Sequence, residues 1–177
     1  MSSPTDSKRV DLGCVLAVYT APGEGQPMEL RTEVTAVAGK GIEGDRYAIG
    51  AGTFTNGEQT SHITLIEAEA LEALKHEDGI ELAQDASRRN VVTRGVALNH
   101  LVGIEFKVGN TLLRGDRLCE PCAYLEGRTQ EGVKAGLKHR GGLRASIITD
   151  GTIRPGDRIS RPRLDHDLND NEDQKGS

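Results

Sequence analysis

Residues 104–118 read IEFKVGNTLLRGDRL. Two short apolar-rich runs, Ile104–Val108 and Thr111–Leu118, flank the dipeptide Gly109-Asn110. Both residues of that dipeptide tolerate the positive φ that a tight two-residue turn demands, so the stretch predicts a β-hairpin. The cadence returns downstream. Leu143–Thr149 and Thr152–Ile153 flank Asp150-Gly151, which predicts a second hairpin, and Gly156-Asp157 turns the chain before Ile159. FKVGNTLLR and IRPGDRIS therefore share turn chemistry, which does not amount to a repeat.

Upstream the same period holds. Val10, Leu12, Cys14, Leu16 and Val18 alternate with their neighbours, as do Met28, Leu30, Thr32, Val34 and Ala36, and both runs predict strands. Between them Pro22, Gly23, Gly25 and Pro27 mark a loop, and Gly39, Gly41, Gly44, Gly50 and Gly52 punctuate a longer one. Ile63–Ile66 and Asn90–Thr93 are short apolar runs that read as strands. Glu67–His76 is the best helical segment, with Leu71 and Leu74 facing inward and Gly79 as its stop, and Leu98–Val102 suits one helical turn. The sum is eight or nine short strands and two or three short helices. That balance predicts a mainly β, largely antiparallel barrel rather than a doubly wound sheet.

The 177 residues suit one domain, expected over 10–160, with a flexible N-terminus at 1–9 and a disordered acidic tail at 161–177 (RPRLDHDLNDNEDQKGS). No apolar run of transmembrane length and no secretory h-region appear, so no membrane partner and a cytoplasmic location are expected. Aromatics are 3% with no Trp, and the net charge is −5. Scarce stacking platforms and net acidity argue against a nucleic-acid partner. The average hides an asymmetry: residues 86–144 carry eleven basic and five acidic side chains, a net of +6 against −11 elsewhere. Arginine forks match phosphate oxygens, so this segment could line a site for an anionic small molecule or be a solvated mixed-charge surface.

Four clusters could carry chemistry. Cys119-Glu120-Pro121-Cys122 closes the basic segment. Three cysteines, counting Cys14, are not a disulfide framework. The pair permits inert burial, half of a zinc site, a dithiol redox couple, or a single thiolate that ligates a soft metal. Ser87-Arg88-Arg89-Asn90, followed by Thr93 and Arg94, offers cations, an amide and a hydroxyl beside a strand, a set that suits a phosphate or an ordinary basic edge. Lys40–Tyr47 is glycine-rich but lacks a Walker ending, and it reads equally as a tight loop with a local Asp45–Arg46 pair. His139-Arg140-Gly141-Gly142-Leu143-Arg144, where a His beside an Arg before a strand could bind an anion or simply sit at the surface, is the fourth, and His62 is a further polar candidate.

Together these segments resemble a MOSC domain, the module related to the C-terminal part of molybdenum-cofactor sulfurases. The matching text is VAGKGIEGDRY (37–47), HITLIEAEALEAL (62–74), RRNVVTRGVALNHLVGIEFKVGNTLLRGDRLCEPC (88–122) and HRGGLRASIITDGTIRPGDRI (139–159). The resemblance implies a β-barrel that binds molybdenum cofactor, a pterin bearing a phosphate and a dithiolene-held metal. It implies that Cys122 is the metal ligand and catalytic residue, that Arg88 and Asn90 contact the cofactor, and that Ser61 and His62 lie near the pterin or its phosphate. Thr93, Arg94, Cys119, His139 and Arg140 complete the candidate contacts. Tyr47 stands where the family often has His. The implied activity is reduction of N-hydroxylated small molecules by a molybdenum-dependent oxidoreductase. The alternative is a carrier that delivers the cofactor or its sulfur without turnover. No flavin, haem or iron–sulfur motif appears, so a separate electron-donor reductase is the expected partner. Pyridoxal phosphate, used by fused sulfurases, is not expected in this chain alone.

Overall fold

A computed structural model of the chain describes residues 8–48, 61–164 and 167. Eleven strands and three short helices follow in order: β1 (Arg9–Thr20), β2 (Glu29–Arg31), β3 (Val34–Val37), β4 (Gly41–Ile42), β5 (Ile63–Glu67), α1 (Ala68–Asp78), β6 (Val91–Arg94), β7 (Glu105–Val108), β8 (Thr111–Leu118), α2 (Ala123–Arg128), α3 (Val133–Gly136), β9 (Leu143–Ile147), β10 (Gly151–Ile153) and β11 (Arg158–Pro162). Two 3₁₀ turns among the described residues span Asp85–Ser87 and Leu98–Leu101.

Seven strands close into a barrel in the order β1, β11, β7, β8, β9, β5, β6 and back to β1, and β2 extends the sheet beside β1. The Gly109-Asn110 hairpin forms as the turn residues dictate, with Val108 opposite Thr111 and Phe106 opposite Leu113. Alternation along the strands sends Val15, Leu65, Val91, Phe106, Leu113, Leu143 and Ile159 into the barrel interior. Ile66 and Val92 face the other way, into a second apolar cluster with Tyr19, Met28 and Leu71 of α1. Both faces of β5 and β6 are thus buried, which is why these two segments read as continuous apolar runs. They pair in parallel, Leu65 opposite Val91, and α1 makes the crossover between them. A third cluster (Leu74, Ile80, Leu125, Val133 and Leu137) joins α1 to α2 and α3, and Cys122 packs against it. Helix α1 ends where Gly79 adopts φ 67° and donates its N–H to the Lys75 carbonyl.

Several expectations are corrected. The run from Met28 to Val37 is not one strand: it breaks after Arg31, and β3 leaves the barrel for a small sheet ordered β10, β3, β4. Asp150-Gly151 does not close a hairpin, because β9 belongs to the barrel and β10 pairs with β3. The Asp150 carboxylate instead accepts the Ala38 N–H at 2.7 Å and pins that corner. Arg161 and Pro162 belong to β11, opposite Val10 and Arg9 of β1, so the β1–β11 pairing includes Arg9, Arg161 and Pro162 outside the expected bounds 10–160. The rest of the expected flexible ends (1–7, 165–166 and 168–177) and Gly50 and Gly52 lie outside the described residues.

Candidate functional site

Where β8 ends, the chain enters the Cys119–Cys122 segment and then α2, and a cavity of about 340 Å³ opens there. Its lining is Arg46, Tyr47, Arg88, Arg89, Arg117, Leu118, Cys119, Glu120, Cys122, Tyr124, Leu125 and Arg144. Five arginines face one carboxylate. The volume falls in the roughly 300–1,000 Å³ range of small-molecule sites.

Local structure explains each placement. Arg88 has φ 59° and caps the Asp85–Ser87 turn through its own N–H, which donates to the Asp85 carbonyl. A non-glycine residue in that region is held by its surroundings. Here the Arg88 carbonyl accepts from Arg46 Nη2 at 3.0 Å and its Nη1 donates to the Gln26 carbonyl at 2.8 Å. Arg46 lies over the Tyr47 ring, 4.4 Å from its centroid, and donates to Asp45 at 3.2 Å. Burial, then the charge of Arg46, pushes the Arg88 guanidinium's pKa down; Arg128 adds to this, while Tyr124 and Tyr47 oppose it. Among the described residues Arg88 and Arg89 form no ion pair with a carboxylate, while Arg46 pairs with Asp45.

Arg89 builds the wall beside the cysteines. Its Nε donates to the Gly141 carbonyl at 2.9 Å, Nη1 to that of Ser87 at 3.1 Å and Nη2 to that of Cys119 at 3.2 Å. The Cys119 N–H donates to the Gly142 carbonyl at 2.7 Å. A Cβ on Gly141 would lie 2.5 Å from the Cys119 oxygen and 2.8 Å from Pro121 Cδ, so only glycine allows this approach. Cys119 is 1% exposed, whereas Cys122 is half-buried. Cys119 and Cys122 both line the cavity as free thiols.

Of the residues singled out from sequence, Arg88, Cys119 and Cys122 line this cavity, and the other seven lie outside its lining with the partners that follow. Asn90 is fully buried: its Oδ1 accepts from the Thr64 N–H and hydroxyl, both at 3.1 Å, and Nδ2 donates to the Tyr19 carbonyl. Thr93 is buried with its hydroxyl directed at the Ile66 carbonyl. Arg94 reaches out to Glu72 and Glu69 of α1. Arg140 pairs with Glu77 and Asp78, and exposed His139 faces Glu120. Ser61 donates to Asp116 Oδ2 at 2.9 Å, and His62 Nδ1 accepts the Ile147 N–H at 3.0 Å.

Arg46, Tyr47, Arg89 and Arg144 stand within the clusters that the sequence offers without being named contacts there, and Arg117 and Tyr124 stand outside them. Four of the five arginines come from the basic segment 86–144, and its charge was their signal. Arg46 comes from the glycine-rich Gly44-Asp45-Arg46 motif, whose local ion pair does form. Among the described residues no group of three or more His, Cys, Asp or Glu is arranged to hold a metal. No described helix is long and apolar enough to cross a membrane.

The family model of the MOSC domain matches residues 52–160. No curated protein matches the sequence. Among solved structures, YuaD from Bacillus subtilis superposes with a TM-score of 0.71 at 16% identity, over 89% of this chain and 99% of that one. YiiM from Geobacillus stearothermophilus gives 0.59 at 12% identity, over 88% and 75%. YiiM from Escherichia coli gives 0.59 at 15% identity, over 85% and 70%. At these identities the likeness is one of fold.

Proposed function

The chain belongs to the MOSC domain family, and from that premise we propose that its arginine-lined cavity binds molybdenum cofactor, with Cys122 as the protein's ligand to the metal. The observation that carries this reading is the half-buried Cys122 on the wall of a cavity that gathers five arginines and one carboxylate. A thiolate is a soft anionic ligand suited to a metal already held by sulfur. A phosphate-bearing pterin brings negative charge that suits Arg88 and Arg89, which form no ion pair among the described residues. The donor set fits as well, because one protein thiol suffices where the cofactor supplies the remaining ligands.

The activity that follows is reduction of N-hydroxylated compounds such as hydroxylamines and amidoximes. When bound, the cofactor supplies the two-electron reduction of the N–O bond. For a hydroxylamine, R–NHOH, two protons and two electrons give R–NH₂ and water, and a separate reductase provides the electrons. The protein's residues orient and screen. Arg46 and Arg88 hold the cofactor's phosphate charge, Arg89 fixes the Cys119 carbonyl and so the path to Cys122, and Tyr47 and Tyr124 bring hydroxyls and ring faces to the lining.

The test is molybdenum per chain in protein freshly purified from a cofactor-competent host. The wild type is expected to approach one metal per chain, Cys122→Ser to lose it and Cys119→Ser to keep most of it. Equal loss in both variants contradicts the single-ligand assignment. Loaded protein that leaves hydroxylaminopurines and amidoximes untouched with a strong artificial donor present is a carrier instead.

A further inference from the structure

Arg88 lines two cavities. One is the cysteine cavity described above; the other, of about 200 Å³, is walled by Arg88 together with Met28, Asp85, Arg128 and Thr129. One loop brings the two arginines of this second cavity together. Between β1 and β2 the chain offers two successive carbonyls, and each takes one guanidinium: that of Gln26 accepts from Arg88 Nη1 at 2.8 Å, and that of Gly25 accepts from Arg128 Nη2 at 3.0 Å. Consecutive Cα atoms stand about 3.8 Å apart across a trans peptide, so the two forks lie side by side. Gly25 has φ 71°, which glycine adopts freely. A Cβ there would stand 3.7 Å from Arg128 Nη1 and 3.9 Å from the Tyr124 hydroxyl, so the loop packs closely on this group. Arg128 also lies over the Tyr124 ring, 5.6 Å from its centroid.

The fold leaves this pair of cations without a counter-charge. Neither Arg88 nor Arg128 forms an ion pair among the described residues. Asp85, the one acid of the lining, is exposed and pairs with neither. Both guanidinium groups keep donors to spare, because Arg88 spends only Nη1 and Arg128 only Nη2 on hydrogen bonds to the described residues. The buried side-chain atoms left without a partner are Glu69 Oε2 and Thr111 Oγ1, and no Arg88 nitrogen is among them. The remaining Arg88 nitrogens therefore reach open cavity, although the residue is 8% exposed. Arg128 is exposed and meets an incoming ligand at the mouth.

The size of the pocket limits what enters it. It is smaller than the roughly 300–1,000 Å³ of a site for a whole small molecule, so it suits a single charged group. A terminal phosphate carries a charge of about −1.5 to −2 and three acceptor oxygens, which matches two unpaired forks, whereas a carboxylate brings a single charge. Helix α2 sets the spacing: Cys122 caps its start and Arg128 ends it, so about 9 Å of helix rise separates them.

We infer that the Arg88–Arg128 pocket is a phosphate subsite beside the main cavity, which takes either the terminal phosphate of a substrate whose reacting end lies at Cys122 or free inorganic phosphate. The inference rests on the cofactor reading, in which the cofactor occupies the main cavity. A phosphate between the two forks replaces their repulsion with charge-assisted hydrogen bonds from both.

The experiment uses the cofactor-loaded full chain and measures binding of inorganic phosphate by calorimetry at constant ionic strength. The wild type is expected to bind it, and Arg128→Gln to bind it at least tenfold more weakly with molybdenum per chain at the wild-type value. Thermal unfolding checks that the variant is folded. Hydroxylaminopurine and its nucleoside 5′-monophosphate separate the two sources. Tighter binding of the monophosphate, lost in Arg128→Gln, assigns the pocket to a substrate's phosphate; equal binding of the two, with inorganic phosphate bound alongside, assigns it to free phosphate. Absence of phosphate binding by the wild type overturns the inference, as does equal binding by Arg128→Gln. Loss of molybdenum in Arg128→Gln also overturns it, because Arg128 would then hold the cofactor's own phosphate. If the wild type carries no molybdenum yet binds phosphate through Arg128, the cofactor reading fails and the subsite stands.

Discussion

Arg89 Nη2 donates to the carbonyl of Cys119, 30 positions along the chain, at 3.2 Å. The same guanidinium holds the carbonyls of Ser87 and Gly141, so one buried side chain ties the Arg88 turn, the segment before β9 and the cysteine segment into one frame. The frame sets where Cys122 emerges.

Removing that fork leaves buried carbonyls without donors, at about 1–3 kcal/mol each. Arg89→Met should therefore destabilise the fold by more than about 2 kcal/mol, read as a lower urea midpoint with unchanged slope. Arg89→Lys should recover only part of this, since an ammonium cannot reproduce the planar fork. A midpoint for Arg89→Met equal to wild type would mean that the three contacts contribute nothing to stability.

Gly141→Ala probes the same frame from the other side. The added methyl meets the Cys119 oxygen and the Pro121 ring below van der Waals distance, and overpacking of this kind typically costs about 1–3 kcal/mol. Because the segment must move, Cys122 should react with a thiol reagent at a rate different from wild type, while Cys14, remote on β1, keeps its rate. Thiol-labelling kinetics followed by peptide mapping check both.

Asn90 separates a structural role from a cofactor contact. Its side chain is fully buried and bonded to Thr64 and Tyr19. Asn90→Ala should lose about 2–4 kcal/mol, on the order of two buried hydrogen-bond partners left unpaired. Molybdenum per folded chain should stay unchanged, whereas Arg88→Ala should lose metal. Metal loss in Asn90→Ala at full folded fraction would return Asn90 to the cofactor site.

These residues also mark what the sequence made legible. The Gly109-Asn110 hairpin, the α1 stop at Gly79 and the alternating strands are local, and local chemistry decides them. Asp150-Gly151 carries the same turn chemistry, yet its strands join different sheets, and nothing within a few residues of it reports that. Helix α2 has six residues with a glycine inside, too short for a periodic signal. The cavity was legible as a basic segment but not as a set of residues. Arg117 and Arg144 meet only through a bulged register, and Arg94, equally basic in the text, lands on the α1 side. Asn90 is a polar residue beside arginines in both settings, and only its burial assigns it to the core.

The last prediction concerns pH. Burial pushes the His62 imidazole's pKa below its ordinary 6.5, with Asp116 opposing the shift. The neutral ring is needed because its Nδ1 accepts the Ile147 N–H. Above pH 6.5 folded and unfolded chains both carry neutral His62, so this residue adds no pH dependence there. As the pH falls below 6.5 the unfolded chain takes up a proton first, and stability drops until the folded-state value is reached, where the dependence levels off. Asn at this position can present an oxygen acceptor near Nδ1 and does not titrate. His62→Asn should therefore lose less stability than wild type between pH 7.5 and 5.5, measured by urea unfolding at each pH. Equal losses in the two proteins would mean that His62 does not carry the acid sensitivity.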